Sequence, residues 1–98
     1  MIVARFSVRC RPERTQEVAA AMNDLERSSR EIPGVIHFDV ARSLSDPNTL
    51  FTFEVFEDHD ALARSETQDQ VATVMRLLES GAHVEDPEWT TWEVSPSM

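Results

Sequence analysis

The stretch from Ile32 to Asp58 restricts the fold of this chain more than any other segment. It reads IPGVIHFDVARSLSDPNTLFTFEVFED. Pro33-Gly34 ends the segment before it, and two runs rich in β-branched and aromatic residues follow, over 35–43 and 50–56. The polar residues 45–48 between these runs, Ser-Asp-Pro-Asn, are typical of a turn. The sequence therefore predicts two strands joined by a short turn.

A helical segment is predicted on each side of this hairpin and a strand at each end of the chain. Residues 2–9 alternate apolar with mixed side chains, which is the period of a strand. Residues 13–31 have apolar side chains at spacings of three and four, which predicts an amphipathic helix that ends before Pro33. The last strand is predicted over 84–94, with a tail from there to Met98.

Between the hairpin and the last strand, the pattern favours two helices rather than one. Asp58 is a good N-cap for the first, over about 59–66. The apolar side chains then change phase across a wholly polar stretch. Thr67 and Gln70 have the spacing of a capping box, so a second helix is expected over about 68–80, ending at Gly81.

The order β-α-β-β-α-β over 98 residues predicts one domain, residues 1–98, of the α+β class. This order is that of the ferredoxin-like fold, in which a four-stranded antiparallel sheet carries two helices on one face.

Both hairpin strands carry apolar side chains on both faces. On the first strand, Ile36, Phe38 and Val40 are predicted on one face, and Val35, His37, Asp39 and Ala41 on the other. A sheet with one face in water alternates apolar and polar side chains more cleanly. We therefore expect a partner subunit or a ligand to cover the second face.

Composition restricts the partners and the compartment. The net charge is −9, and all nine basic residues are arginine. Such a chain is a poor match for nucleic acid or an anionic membrane, since both attract basic patches. The sequence has no apolar run of membrane-spanning length, no leader pattern at its start, and a single cysteine, Cys10. Together these features favour a cytoplasmic location.

Several short motifs in the hairpin and the helix after it share a known order. They are Pro33-Gly34-Val35-Ile36-x-Phe38, then Asp46-Pro47, then Phe53-Glu54-x-Phe56-x-Asp58-x-x-Ala61-Leu62. In this order and spacing they resemble the antibiotic biosynthesis monooxygenase family, and the likeness extends over about residues 2 to 94. The resemblance implies a homodimeric α/β barrel, in which the sheets of two ferredoxin-like subunits pack face to face. It also implies a pocket in each subunit between the sheet and the helices.

The resemblance further implies an activity. Family members that oxidise polycyclic anthrones use no metal or flavin, and polar groups in the pocket stabilise a substrate carbanion that reacts with oxygen. The first interpretation is therefore a cofactor-independent monooxygenase acting on a small aromatic, quinol- or anthrone-like substrate. Phe38 and Phe56 are the aromatic candidates for substrate binding. Ser65 and Asp69 are the polar candidates for substrate binding, and they stand where family members often carry two histidines. Because residues 60–80 contain no histidine to ligate iron, haem degradation is not expected.

Glu54 and His37 are the candidate catalytic residues. A carboxylate among Phe53, Val55 and Phe56 is expected to have a raised pKa and could act as a base. The alternative for Glu54 is an ion pair with an arginine of a neighbouring strand, or a contact between subunits. His37 could be a base oriented by Asp39, or a partly exposed or interface residue.

Other interpretations stay open from the sequence. A metal site of His37, Asp39 and Glu54 is an alternative, although no metal or other cofactor is expected. Trp89 and Trp92 are interpreted as core or dimer contacts rather than a platform for substrate.

The chain could instead be a non-catalytic dimeric α/β-barrel protein that binds a small apolar ligand or serves as an interaction module. The missing helical histidine pair favours this second function, and the fold alone does not decide between the two. Placement of Glu54 and His37 in an enclosed cavity, rather than at a subunit interface, would favour the enzyme.

Overall fold

The structure is a computed structural model that describes residues 1–95. Its elements are β1 (Ile2–Arg9), α1 (Thr15–Ser29), β2 (Val35–Arg42), β3 (Thr49–Phe56), α2 (His59–Glu66), α3 (Asp69–Leu77) and β4 (Glu88–Glu93). A π-helical turn, Leu78–Ala82, continues α3. The predicted element order and the break between α2 and α3 are confirmed. The end of the tail predicted beyond the last strand, at 96–98, lies outside the described residues.

The four strands form one antiparallel sheet in the order β2-β3-β1-β4. β1 and β3 are central, and β2 and β4 are the edges. The chain crosses from β1 to β2 through α1, and from β3 to β4 through α2 and α3. This is the ferredoxin-like topology predicted from the sequence.

The alternation of β1 decides which face of the sheet meets the helices. Ile2, Ala4 and Val8 are buried on that covered face, while Arg5 and Arg9 point to the other face and are exposed. Buried side chains of α1, above all Val18 and Met22, pack against the covered face. The core therefore lies between the sheet and the helices, as the period of two on β1 predicts.

The two helix starts of the second helical region differ in chemistry. The Asp58 carboxylate accepts a hydrogen bond from the Ala61 N–H at 2.9 Å, so the predicted N-cap of α2 is confirmed. The predicted capping box at Thr67 is wrong. Thr67 closes α2, its hydroxyl donating to the Arg64 carbonyl at 2.8 Å, and α3 starts after Gln68 without a side-chain cap.

A β-bulge in β2 changes which residues face the core. Val35 pairs with Phe56 and His37 pairs with Val55, so Ile36 is an extra residue on β2. The bulge turns Val35 toward the core and leaves Ile36 53 % exposed. The faces predicted for these two residues are therefore wrong, because a strict period of two was carried through the bulge.

The turn before β2 comes into close contact with α2 at Gly34. This glycine has a φ of 88°, and a Cβ placed on it would lie 2.6 Å from the Cβ of Ala61. The Arg64 guanidinium donates to the Pro33 carbonyl at 2.9 Å across the same contact. The backbone of the turn and α2 thus approach to a distance that only glycine permits.

The sheet face opposite the helices, which we call the open face, carries several apolar side chains. Phe53 and Trp92 on this face are 46 % and 48 % exposed. The Arg5 guanidinium lies 5.4 Å from the centre of the Phe51 ring. The His37 ring meets Phe53 edge to face at 5.8 Å. The apolar second face predicted from the hairpin is therefore present.

Candidate functional site

A cavity of about 400 Å³ lies between the covered face of the sheet and the helices. Its walls are mainly apolar. The sheet contributes Phe6 and Phe38, and the helices contribute Met22, Leu25, Val71 and Val74. The volume falls within the range of roughly 300–1,000 Å³ that small-molecule sites occupy.

Glu54 is the buried acid of this cavity. Its side chain is 6 % exposed, and the Thr52 hydroxyl donates to its Oε2 at 2.5 Å. The Phe6 backbone N–H in turn donates to the Thr52 hydroxyl oxygen at 3.2 Å, which orients that hydroxyl toward Glu54. Glu54 is therefore held in place by a short hydrogen-bond chain that begins on the neighbouring strand.

Burial raises the pKa of Glu54 to about 7. The Thr52 hydrogen bond opposes this rise in pKa, and the negative charge of Glu66 adds to it. A carboxyl with such a pKa is present in both its protonated and its ionised form near neutral pH. It can thus accept a proton from a ligand or return one, as a general acid or base does.

Glu54 has no basic residue opposite it on either neighbouring strand. Its cross-strand neighbours are Ala4 on β1 and Phe38 on β2. Among the described residues, none of the ion pairs includes Glu54. The structure therefore does not contain the alternative expected from the sequence, an ion pair to an arginine on a neighbouring strand.

Ser65 lies at the break between α2 and α3 and is buried at the cavity wall. The Gln68 Nε2 lies 3.2 Å from the Ser65 hydroxyl oxygen and 3.0 Å from that of Ser29. Ser28 donates to the Gln68 Oε1 at 2.6 Å. The same Nε2 also lies 2.9 Å from the Ser65 carbonyl oxygen. Among the described residues the Ser65 hydroxyl has no acceptor for its own hydrogen, so that hydrogen is available to a ligand in the cavity.

The structure separates the other predicted site residues. Phe38 lines the cavity, but Phe56 is fully buried and packs in the core with Ile2 and Ala61. Asp69 is exposed at the start of α3 and does not line the cavity in the described chain. Neither residue therefore lines the cavity, as a substrate-binding residue would, because Phe56 is enclosed in the core and Asp69 is exposed to solvent.

His37 lies on the open face, away from the cavity. Its Nε2 is 2.8 Å from the Asp39 carboxylate, so the predicted pairing of these two residues is present. Glu54 points to the covered face, so the sheet separates it from His37 and Asp39. The three cannot meet at one metal ion within a subunit. Within residues 1–95, no group of three or more such ligand residues is close enough to hold a metal.

The solvent side of the cavity carries residues that the sequence did not point to. Glu66, Met75 and Trp89 line the cavity and are themselves exposed, so they form its mouth. Trp89 was interpreted as a core or dimer contact. The sequence could have distinguished the two tryptophans, because Trp89 and Trp92 are three residues apart on one strand and must point to opposite faces of the sheet.

Comparison with known proteins identifies the family. The model of the antibiotic biosynthesis monooxygenase family matches residues 1–77, and the chain belongs to this family. No curated protein matches the chain. Across the described residues, none of the helices is both long and apolar enough to span a membrane.

Solved structures share the fold at low sequence identity. A protein of Deinococcus radiodurans, provisionally described as an antibiotic biosynthesis monooxygenase, has a TM-score of 0.89 at 15% identity, covering 100% of this chain and 96% of that one. Rv0793 of Mycobacterium tuberculosis has a TM-score of 0.86 at 14% identity, with 98% and 96% covered. SO0527 of Shewanella oneidensis has a TM-score of 0.82 at 22% identity, with 93% and 87% covered. At these identities the likeness establishes the fold.

Proposed function

We propose that this protein is a cofactor-independent monooxygenase for a small aromatic substrate of the quinol or anthrone type. The observation that carries the proposal is Glu54, a buried carboxyl with a pKa of about 7 in an apolar cavity of about 400 Å³. Family membership supports the reaction class. An acidic ring CH₂ or OH of the substrate is the group that such a carboxylate can deprotonate.

The proposed reaction begins when the ionised Glu54 accepts a proton from the substrate. The anion that forms is delocalised over the aromatic rings, and the apolar walls keep water from returning a proton to it. The Ser65 hydroxyl donates a hydrogen bond to the substrate oxygen on which negative charge develops. Thr52 holds the Glu54 carboxyl in position throughout.

Oxygen then reacts with the substrate anion. For a ring CH₂ that becomes a carbonyl, the carbon supplies all four electrons that reduce O₂. One oxygen atom enters the product and the other leaves as water. The protein's part is to remove the first proton, orient the rings and exclude water, since the substrate itself is the reductant.

The test is oxygen uptake by the purified protein with a panel of anthrones and quinols. The Glu54→Gln variant is expected to lose about 10²-fold or more in kcat, because a positioned general base contributes roughly that factor. The wild-type rate should rise with pH through about 7, since the base must be ionised. Glu57→Gln makes the same chemical change on the exposed surface and is expected to keep the wild-type rate.

Two results would contradict this proposal. If the Glu54→Gln variant still consumes oxygen at the wild-type rate, the protein is an oxygenase but Glu54 is not its base. Absence of uptake with every member of the panel would favour the alternative function, a binding protein for small apolar ligands.

We also infer that the open face of the sheet packs against a second copy of the chain. The apolar side chains of Phe53 and Trp92 are about half exposed there. Partly buried Val3, Phe51 and Val55 continue the same surface on β1 and β3. An apolar area of this kind at the centre of a sheet marks an interface. A homodimer that covers this face accounts for the two-sided apolar pattern of β3.

Replacement of Phe53 by aspartate is expected to weaken the dimer more than about tenfold, because a buried carboxylate would replace a central aromatic contact. Mass measurement in solution should then shift from twice 11.2 kDa toward 11.2 kDa. Leu44→Asp is the control, since Leu44 is fully exposed in the turn between β2 and β3. A monomeric wild type, or a Phe53→Asp variant that stays dimeric, would contradict this interface.

A further inference from the structure

The ionisable side chains that line the cavity in the described chain are both carboxyls. Glu54 lies inside and Glu66 lies at the mouth. The chain has no lysine. The arginines of α2 and α3 are engaged elsewhere, because Arg64 donates to the Pro33 carbonyl and Arg76 donates to the Thr73 hydroxyl. A ligand in this cavity therefore meets negative charge without a compensating cation.

The charge of Glu66 acts on the interior of the cavity. It is one of the causes that raise the pKa of Glu54, so the two carboxyls interact through the cavity despite the exposure of Glu66. A ligand carboxylate or phosphate beside Glu54 would meet the same repulsion. It would also lose its hydration among the apolar walls without gaining a partner, which is costly.

We infer that Glu66 makes the cavity selective by charge, so that neutral or cationic aromatic molecules bind and anionic ones are rejected. Glu66 is on this basis a specificity-determining residue. The inference rests on the proposed function for the identity of the site, and it adds the charge class of the substrate. A substrate whose acidic group ionises only on transfer of its proton to Glu54 satisfies this requirement, because it enters as a neutral molecule.

The test is binding, without turnover, of three naphthalenes of nearly equal shape. They are 2-naphthylmethanol, which is neutral, 2-naphthoate, which is anionic, and 2-naphthylmethylammonium, which is cationic. Calorimetric titration at a pH above 7, where Glu54 is ionised, gives their affinities. The neutral probe is expected to bind at least about tenfold more tightly than the anion, and the cation at least as tightly as the neutral probe.

Glu66→Gln is expected to reduce the neutral-to-anion ratio several-fold and to change the affinity for the neutral probe by less than about twofold. Glu79→Gln removes one negative charge as well, but at an exposed helix end outside the cavity lining, and it should leave the neutral-to-anion ratio unchanged. Added salt should lower the neutral-to-anion affinity ratio of the wild type, because salt screens the exposed charge of Glu66.

Each outcome separates this inference from the proposed function. An unchanged ratio in Glu66→Gln would overturn the charge selection, whether or not the protein consumes oxygen. Failure of all three probes to bind would overturn it as well, since the cavity would then not receive aromatic ligands. Discrimination that depends on Glu66, without oxygen uptake on any substrate, would uphold the charge selection and count against the monooxygenase.

Discussion

The Gly34→Ala variant is expected to lose roughly 2–5 kcal/mol of folding stability, as the sum of a strained backbone and an overpacked contact. Gly34 has a φ of 88°, which an L side chain adopts only with strain. The added methyl would lie 2.6 Å from the Cβ of Ala61, which is itself fully buried. The turn before β2 and α2 would have to move apart to make room.

Urea unfolding at a fixed protein concentration measures this loss. Gly81→Ala is the matched control, because Gly81 has a φ of 92° but no atom within 4 Å of the added Cβ. It should show only the backbone cost, about 1–2 kcal/mol. Ala61→Gly, made in addition to Gly34→Ala, should restore part of the stability by relieving the overlap. Equal losses at the two glycines would contradict the close contact between the turn and α2.

Glu54 is expected to make the protein less stable as the pH rises toward neutrality. Its pKa in the folded state is about 7, against 4.5 for an ordinary glutamate. Between these values the folded chain binds the proton more tightly than the unfolded chain, so folding stability falls with increasing pH. The stabilisation that comes from Glu54 is fully present below pH 4.5 and is lost as the pH rises through about 7. At 1.36 kcal/mol per pKa unit, the whole loss is about 3 kcal/mol.

The Glu54→Gln variant keeps the shape of the side chain and cannot ionise. Its stability relative to the wild type should therefore rise by about 3 kcal/mol from about pH 4 to about pH 8, as measured by urea unfolding in buffers across this range. The pH-dependent contributions of all other titrating groups cancel in this difference, because both proteins contain them. Asp46, for example, has a pKa lowered by its hydrogen bond from Thr49 and loses its contribution as the pH falls. A difference that does not vary with pH would contradict the desolvation of Glu54.

The sequence predicted the fold well because local signals agreed with one another at almost every element. The period of two in β1 and β3, the Asp58 cap and the polar stretch before α3 each follow from nearby residues alone. Ile36 was misplaced because a bulge depends on how β2 pairs with β3. Thr67 was misplaced because its hydroxyl closes the helix before it instead of capping the helix after it. No pattern within β2 or within the helix break contains that information.

The candidate site was predictable only where a residue stood out within its own segment or matched a family motif. Glu54 was found because an acid in an apolar strand is rare, and Phe38 because it is the aromatic residue of a motif that resembles the family's. The mouth residues Glu66, Met75 and Trp89 come from three separate elements. Their convergence depends on how the helices pack over the sheet, which periodicity does not define.

The two faces of β3 give this domain a way to diversify. Even-numbered positions such as Thr52 and Glu54 belong to the cavity side, whereas odd-numbered positions such as Phe51 and Phe53 belong to the open face. In the proposed dimer, the even-numbered side chains of β3 therefore face the ligand and the odd-numbered ones face the second subunit. A library that varies only Thr52 and Glu54 would then change the cavity and leave the proposed subunit contact unaltered.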